Sequence, residues 1–421
     1  MSGVDLSVLT MAIVMAIGVL AFLFSEKTGI SYVPILILLG IVAGPVLNMI
    51  QRDEAHQMFD YARVFGLVVI LFAEGHNLKW PLLKKHFATI GILDTLGLLI
   101  TVAVATVAFS WLFHAPWAVG FLFGAIIAAT DPATLIPLFK QYTVPEDMRA
   151  VLVSESIFND PLGIVLTMLA IALLVPQAGG GLLAWITPHT GLMPAAAIYF
   201  FYQVLISAAL GVALGLIGYR LIHVFHLESF AEMYAFALAF GGFALGEWVQ
   251  ASGYLVATVI ALVFGNHELF FPRQDHIQRA SPVIEREHHF NESLAYLATV
   301  VIFILLGAGI DLANLWSSFG LGVAIALIVV FVARPLAILS LVVVRRWSWR
   351  ESLFIAFEGP RGVVPAALAG MPLALGLSLH EPKLIHWGET ILAVTVITVL
   401  VSVILETLWI GFLKRHFLGR S

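Results

Sequence analysis

Two carboxylates lie five residues apart inside an oily stretch of this chain, Val153-Ser154-Glu155-Ser156-Ile157-Phe158-Asn159-Asp160-Pro161. An ionisable side chain at the centre of a bilayer costs at least about 2.5–3.5 kcal/mol, even on insertion scales. A sequence that keeps two of them there is using them. Ser156 and Asp160 are i,i+4 neighbours, so a hydroxyl and a carboxylate share one helix face. Glu155 and Asn159 form a second such pair, turned about 100° away. The first pair offers oxygen to a small hard cation. The second leaves Glu155 to neutralise a membrane-embedded arginine, and Arg361 is the expected partner because guanidinium suits bidentate carboxylate geometry.

Two further segments carry polar groups inside apolar runs. One is Ala129-Thr130-Asp131-Pro132-Ala133-Thr134 with Pro137; the other is Glu358-Gly359-Pro360-Arg361-Gly362 with Pro365. Proline has no N–H, so Pro161 orphans the Ile157 carbonyl, Pro132 that of Ala128, and Pro137 that of Ala133. In lipid such groups must be met by neighbours, water or an ion. Carbonyls freed near Thr130 could therefore join Asp160, Asp131 and Ser156 around a cation. Oxygen donors without sulfur suit Na+, K+ or Li+ alike.

The elements that must position these groups are membrane helices. Of 421 residues, 61% are hydrophobic and 11% charged, with a mean hydropathy of +1.00. Soluble chains carry roughly a quarter charged residues. A net charge of −5 gives nucleic acid no footing, and zero cysteines excludes disulfides and thiolate metal sites. Spans of about 20 residues are expected near 5–24, 30–50, 61–77, 89–113, 117–139, 149–175, 195–222, 231–250, 252–270, 292–311, 317–344, 351–378 and 387–413. Continuous apolar runs exclude a membrane β-barrel. No cleavable signal is evident, because the first apolar run flows into the second.

Thirteen spans put sixteen of the 21 Lys and Arg residues on one side and three (Arg52, Arg63, Lys383) on the other; Arg334 and Arg361 lie within spans. The positive-inside rule then places the N-terminus outside and the C-terminus in the cytoplasm. The spans divide as six, one and six within a single transporter domain over 1–421: a first set over 5–175, a linking helix at 195–222 and a second set over 231–413. The fifth span of each set is the broken one. Matching breaks in two halves point to a transporter's substrate site. Counting about 1.5 Å per residue, Asp160 lies roughly 16 Å, Arg361 about 15 Å and Thr130 roughly 20 Å from their span starts. All three are near the midplane.

A carboxyl group held away from water must be discharged, and a proton and a metal ion compete for its single charge. If the site crosses only when neutralised, cation–proton exchange follows. Asn159 stands where a second acid would double the charge, so one-for-one, electroneutral exchange is expected. Arg334 and Asp94 are candidates for gating or for pairing with each other. His276, His288 and His289 lie in the charged stretch 271–291, whose plain reading is a solvated loop. Glu247 reads as an acid reaching water from a helix end.

Ser154-Glu155-Ser156-Ile157-Phe158-Asn159-Asp160, Thr130-Asp131-Pro132, Arg334-Pro335 and Gly359-Pro360-Arg361-Gly362 resemble the monovalent cation/proton antiporters of the NhaP/sodium–proton exchanger type. Supporting stretches are Ser252-Gly253-Tyr254-Leu255-Val256-Ala257 through Gly265-Asn266 and Leu305-Leu306-Gly307-Ala308-Gly309-Ile310, and the likeness covers essentially the whole chain. It implies an all-α polytopic membrane protein of about 13 transmembrane helices: two inverted six-helix repeats with unwound crossing helices, in a homodimer. It also implies ion binding by Asp160, Ser156, Thr130 and Asp131, with Glu74 as a third acid, a Glu155–Arg361 pair, and no cofactor beyond the transported cation. The long cytoplasmic tail usual in the animal exchangers is not expected after the last span, and the expected location is a prokaryotic inner (plasma) membrane.

Three other readings were weighed: a cation channel, an intramembrane hydrolase with Asp131 and Asp160 as an aspartyl dyad, and an organic-anion transporter. No short filter motif supports the first and Arg361 disfavours the second. Converging acids repel the substrate of the third.

Overall fold

The computed structural model describes residues 3–28, 31–132, 134–135, 139, 144–175, 180–270, 277–343 and 347–418. All elements among them are helices or turns, and each expected span falls on a helix. Among the described residues, seven helices are long and apolar enough to cross a bilayer, and four shorter apolar ones accompany them. The chain forms two compact units. The first comprises Met1–Arg63, His86–Gly163 and Val300–Ser421, and the second Val64–Lys85 and Ile164–Thr299.

The first unit contains every group of the polar constellation except Glu74. Its helix Glu146–Leu174 begins with two acids at its positive end, where the helix dipole favours them. It runs unbroken through Pro161. By contrast, Trp117–Ile127 stops before Thr130. The twelfth span is likewise split into Trp349–Ala356, an irregular stretch, and Val363–Ala369 followed by Met371–Leu379. Of the four five-residue π turns among the described residues, two are Leu93–Gly97 and Val329–Ala333. Such turns insert a residue and re-aim the side chains beside them; here these are Asp94 and Arg334. Elsewhere, Gly44 lies so near Ala308 that an added Cβ would meet its Cα at 2.5 Å. This small-residue contact lets two backbones approach closely.

In the second unit, the turn between Ala231–Trp248 and Gly253–Gly265 is fixed by polar contacts from several sides. Glu247 accepts the Gly253 N–H at 3.0 Å, Ser207 accepts that of Ser252 at 2.8 Å, and Tyr202 donates to the Val249 carbonyl at 2.8 Å. Glu247 thus caps a helix start rather than reaching for water. Asn266 closes another reversal. Its amide donates to the Leu78 carbonyl at 2.7 Å and its oxygen accepts the Trp80 N–H at 2.7 Å.

Two stretches outside the expected spans are helical. Gly180–Thr190, between the expected spans 149–175 and 195–222, is a helix that Gly180 and Gly181 open. Leu183 and Ile186 then bury themselves against Leu169, Ala195 and Tyr199. The charged segment 271–291 turns helical at Ile277 and continues to Ala308. His276 and the side chains of His288 and His289 lie outside the described residues.

Candidate functional site

The site grows from the break after Ile127. Pro132 cannot donate to the Ala128 carbonyl, and Arg361 does so instead. Its Nη1 lies 2.6 Å from the Ala128 oxygen and 3.1 Å from that of Ala129. The Asp131 N–H donates in turn to the Pro360 carbonyl at 2.8 Å. The two broken segments therefore cross and satisfy one another's backbone.

Between that crossing and the helix Glu146–Leu174 lies a tight polar triangle. The Thr130 N–H donates to Asn159 Oδ1 at 3.0 Å, and Asn159 Nδ2 donates to Thr130 Oγ1 at 2.7 Å. Thr130 Oγ1 also pairs with Ser156 Oγ at 2.8 Å, and Ser156 is 3.0 Å from the Leu152 carbonyl. Thr134 donates its hydroxyl to Asp131. Asp160, one turn beyond Ser156, is 1% exposed, and Thr130, Asp131, Ser156 and Asn159 are all buried. Asp160 is thus enclosed by protein rather than facing lipid. The donors gathered here are hydroxyl, amide, carboxylate and carbonyl oxygens, the set that suits a hard monovalent cation.

Glycine is required where the crossing is tightest. A Cβ on Gly362 would overlap the Asp131 side chain, and one on Gly359 would sit 2.6 Å from Arg334 Nε.

The predicted Glu155–Arg361 pair is not formed. Glu155 is instead clasped by Arg334, which donates from Nη1 to Oε1 and from Nη2 to Oε2, the latter at 2.8 Å. Arg334 also reaches the Glu358 carbonyl through Nε at 3.2 Å and Nη2 at 2.9 Å. The physical reason is competition for donors. Arg361 lies in the irregular stretch, where orphaned carbonyls claim it. Arg334 follows a π turn on a helix and is aimed at the carboxylate. Asp94 interacts electrostatically with both Arg334 and Glu155.

Glu74, the predicted third acid, is half-buried near the end of Arg52–Asn77 and belongs to the second unit. Pro137 and Ala133 lie outside the described residues. Three participants were not anticipated. Glu406 Oε1 accepts the Gly359 N–H at 3.0 Å and Ser402 accepts that of Arg361 at 3.2 Å; these two are i,i+4 neighbours on Pro382–Leu413. The third, Glu358, is fully buried. An acid within a membrane span was itself the signal for Glu406.

The family described as sodium/hydrogen exchanger, transmembrane, matches residues 11–415. The chain belongs to that family. Among sodium/hydrogen exchanger relatives, Na(+)/H(+) antiporter 1 of Methanocaldococcus jannaschii is 34% identical over 97% of this chain and 95% of its own length. The K(+)/H(+) antiporter NhaP of Alkalimonas amylolytica is 27% identical over 90% of this chain and 62% of its own. The solved structure of the sodium proton antiporter MjNhaP1 from Methanocaldococcus jannaschii superposes with a TM-score of 0.87 at 32% identity. That match covers 99% of this chain and all of the other. The exchanger family and the all-helical fold with broken helices agree with the expectation from the sequence.

Proposed function

We propose that this protein exchanges Na+, or another alkali cation, for H+ across a membrane, and that Asp160 is the carboxylate for which the two ions compete. The observation that carries this reading is the buried Thr130–Ser156–Asn159 triangle one turn from Asp160 at a broken helix. Thr130, Ser156 and Asp131 supply oxygen to the cation, while Asn159 holds the break in register. With an amide rather than an acid beside Asp160, one charge is exchanged for one, so turnover is electroneutral. The breaks occupy the fifth position of two six-span sets, which supports two inverted repeats over 5–175 and 231–413. The charge asymmetry supports a cytoplasmic C-terminus.

The test is exchange in proteoliposomes with Na+, Li+ and K+ supplied separately. Asp160→Asn is expected to lower proton-coupled exchange at least about 100-fold for every cation, as loss of a buried ionic partner of roughly 3–5 kcal/mol implies. Retained exchange in that variant removes Asp160 from its role. A wild-type rate that changes with membrane potential removes electroneutrality. The K(+)/H(+) antiporters among the relatives make K+ the second reading, and the K+ arm decides it.

A further inference from the structure

We propose that Glu358 and Glu406 form a second proton-binding site, holding one proton at neutral pH and acting apart from Asp160. Five buried carboxyl groups, Asp94, Asp131, Glu155, Glu358 and Glu406, form one electrostatic cluster with two guanidiniums, Arg334 and Arg361. No other Lys or Arg is buried among the described residues. Fully ionised, the cluster would hold a surplus of three buried negative charges, a costly arrangement.

Hydrogen bonding shows where the surplus is relieved. Glu155 is taken by both prongs of Arg334, and Asp131 accepts the Thr134 hydroxyl. Glu406 has one oxygen on the Gly359 N–H and the other without a partner. Both oxygens of Glu358, 0% exposed, meet no donor among the described residues. Glu406 accepts the N–H of the residue that follows Glu358, so the two buried acids are neighbours, and neighbouring carboxyls titrate as a pair. One proton on the pair removes their repulsion and lowers the surplus.

The pair also brackets a single peptide unit. The Glu358 carbonyl is held by Arg334 at 2.9 Å and 3.2 Å, and the following Gly359 N–H by Glu406 at 3.0 Å. Removing the proton adds negative charge beside Arg334 and Arg361. It draws them from Glu155 and from the Ala128 and Ala129 carbonyls, and so loosens the crossing. Glu155 is bonded to Arg334, and Asp94 and Asp131 interact electrostatically with Arg334 and Glu406 respectively, so each feels the same change. The maximal exchange rate therefore follows pH by a route other than competition at Asp160.

Two measurements test this. In proteoliposomes at saturating cation, the wild-type maximal rate should show an inflection with pH that Glu358→Gln or Glu406→Gln removes. The rise of cation KM in acid, which reports competition at Asp160, should remain. Unchanged pH profiles of maximal rate in both variants overturn the proposal. Infrared spectra of purified Asp160→Asn protein at neutral pH should show a protonated-carboxyl C=O band that adding Glu358→Gln weakens. If the glutamine variants fail to fold, absence of that band in the Asp160→Asn protein alone overturns the proposal. Exchange retained by Asp160→Asn would sink the earlier assignment and leave this band unaffected, so the two readings fail separately.

Discussion

The two broken segments solve one problem in different ways. Each leaves buried backbone groups without their helical partners. The break at Ala128–Asp131 is satisfied largely from outside itself: Arg361 takes two of its carbonyls, Pro360 one N–H and Asn159 another. The break at Phe357–Gly362 is held by helices that cross no break, through Arg334, Ser402 and Glu406. The first break is clasped by Arg361 but lined by hydroxyls that suit the proposed cation, whereas the second is fastened by an arginine and a carboxylate on other helices. The proposed binding segment and its scaffold would then share one local device.

That contrast can be broken from the charged side first. Arg334→Ala strands Glu155 and frees the Glu358 carbonyl, so it is expected to lower stability by about 3–5 kcal/mol. Thermal unfolding in detergent would show it, and Glu155→Gln in the same chain should recover part of the loss. Equal stability of the single variant and wild type would mean that the pair holds nothing together. Next in size is Gly362→Ala, whose methyl must displace Asp131. Strain of about 1–3 kcal/mol at such a site should raise the cation KM about 10-fold while the melting temperature moves less. Smallest is Ser402→Ala, which removes one neutral hydrogen bond worth about 0.5–1.5 kcal/mol. It should shift melting by a few degrees and leave cation KM in place; a large KM change would mean that the second break also touches the ion.

Much of this was legible in the residue order. Proline and glycine inside apolar runs located both breaks, because missing donors and missing Cβ atoms act locally. The i,i+4 spacing of Ser156 and Asp160 gave a shared face before any coordinates. The choice between Arg334 and Arg361 for Glu155 was not legible. Depth along a span can be counted from the sequence, but azimuth depends on the π turns at Leu93–Gly97 and Val329–Ala333, and nothing in their composition announces them. Glu406 was open to the same logic that singled out Asp160, since both are acids within spans. It lacks the polar neighbours that made the Ser154–Asp160 stretch conspicuous. Helix Gly180–Thr190 escaped because its glycines mark a beginning, and the apolar residues after them carry the fold.

The stitching between Asp131 and Pro360, and between Arg361 and Ala128, runs in both directions across the intersection of the two chain segments. Straightening either segment alone breaks bonds that the other segment supplies. An ion site that moves while these bonds stay intact moves both segments together.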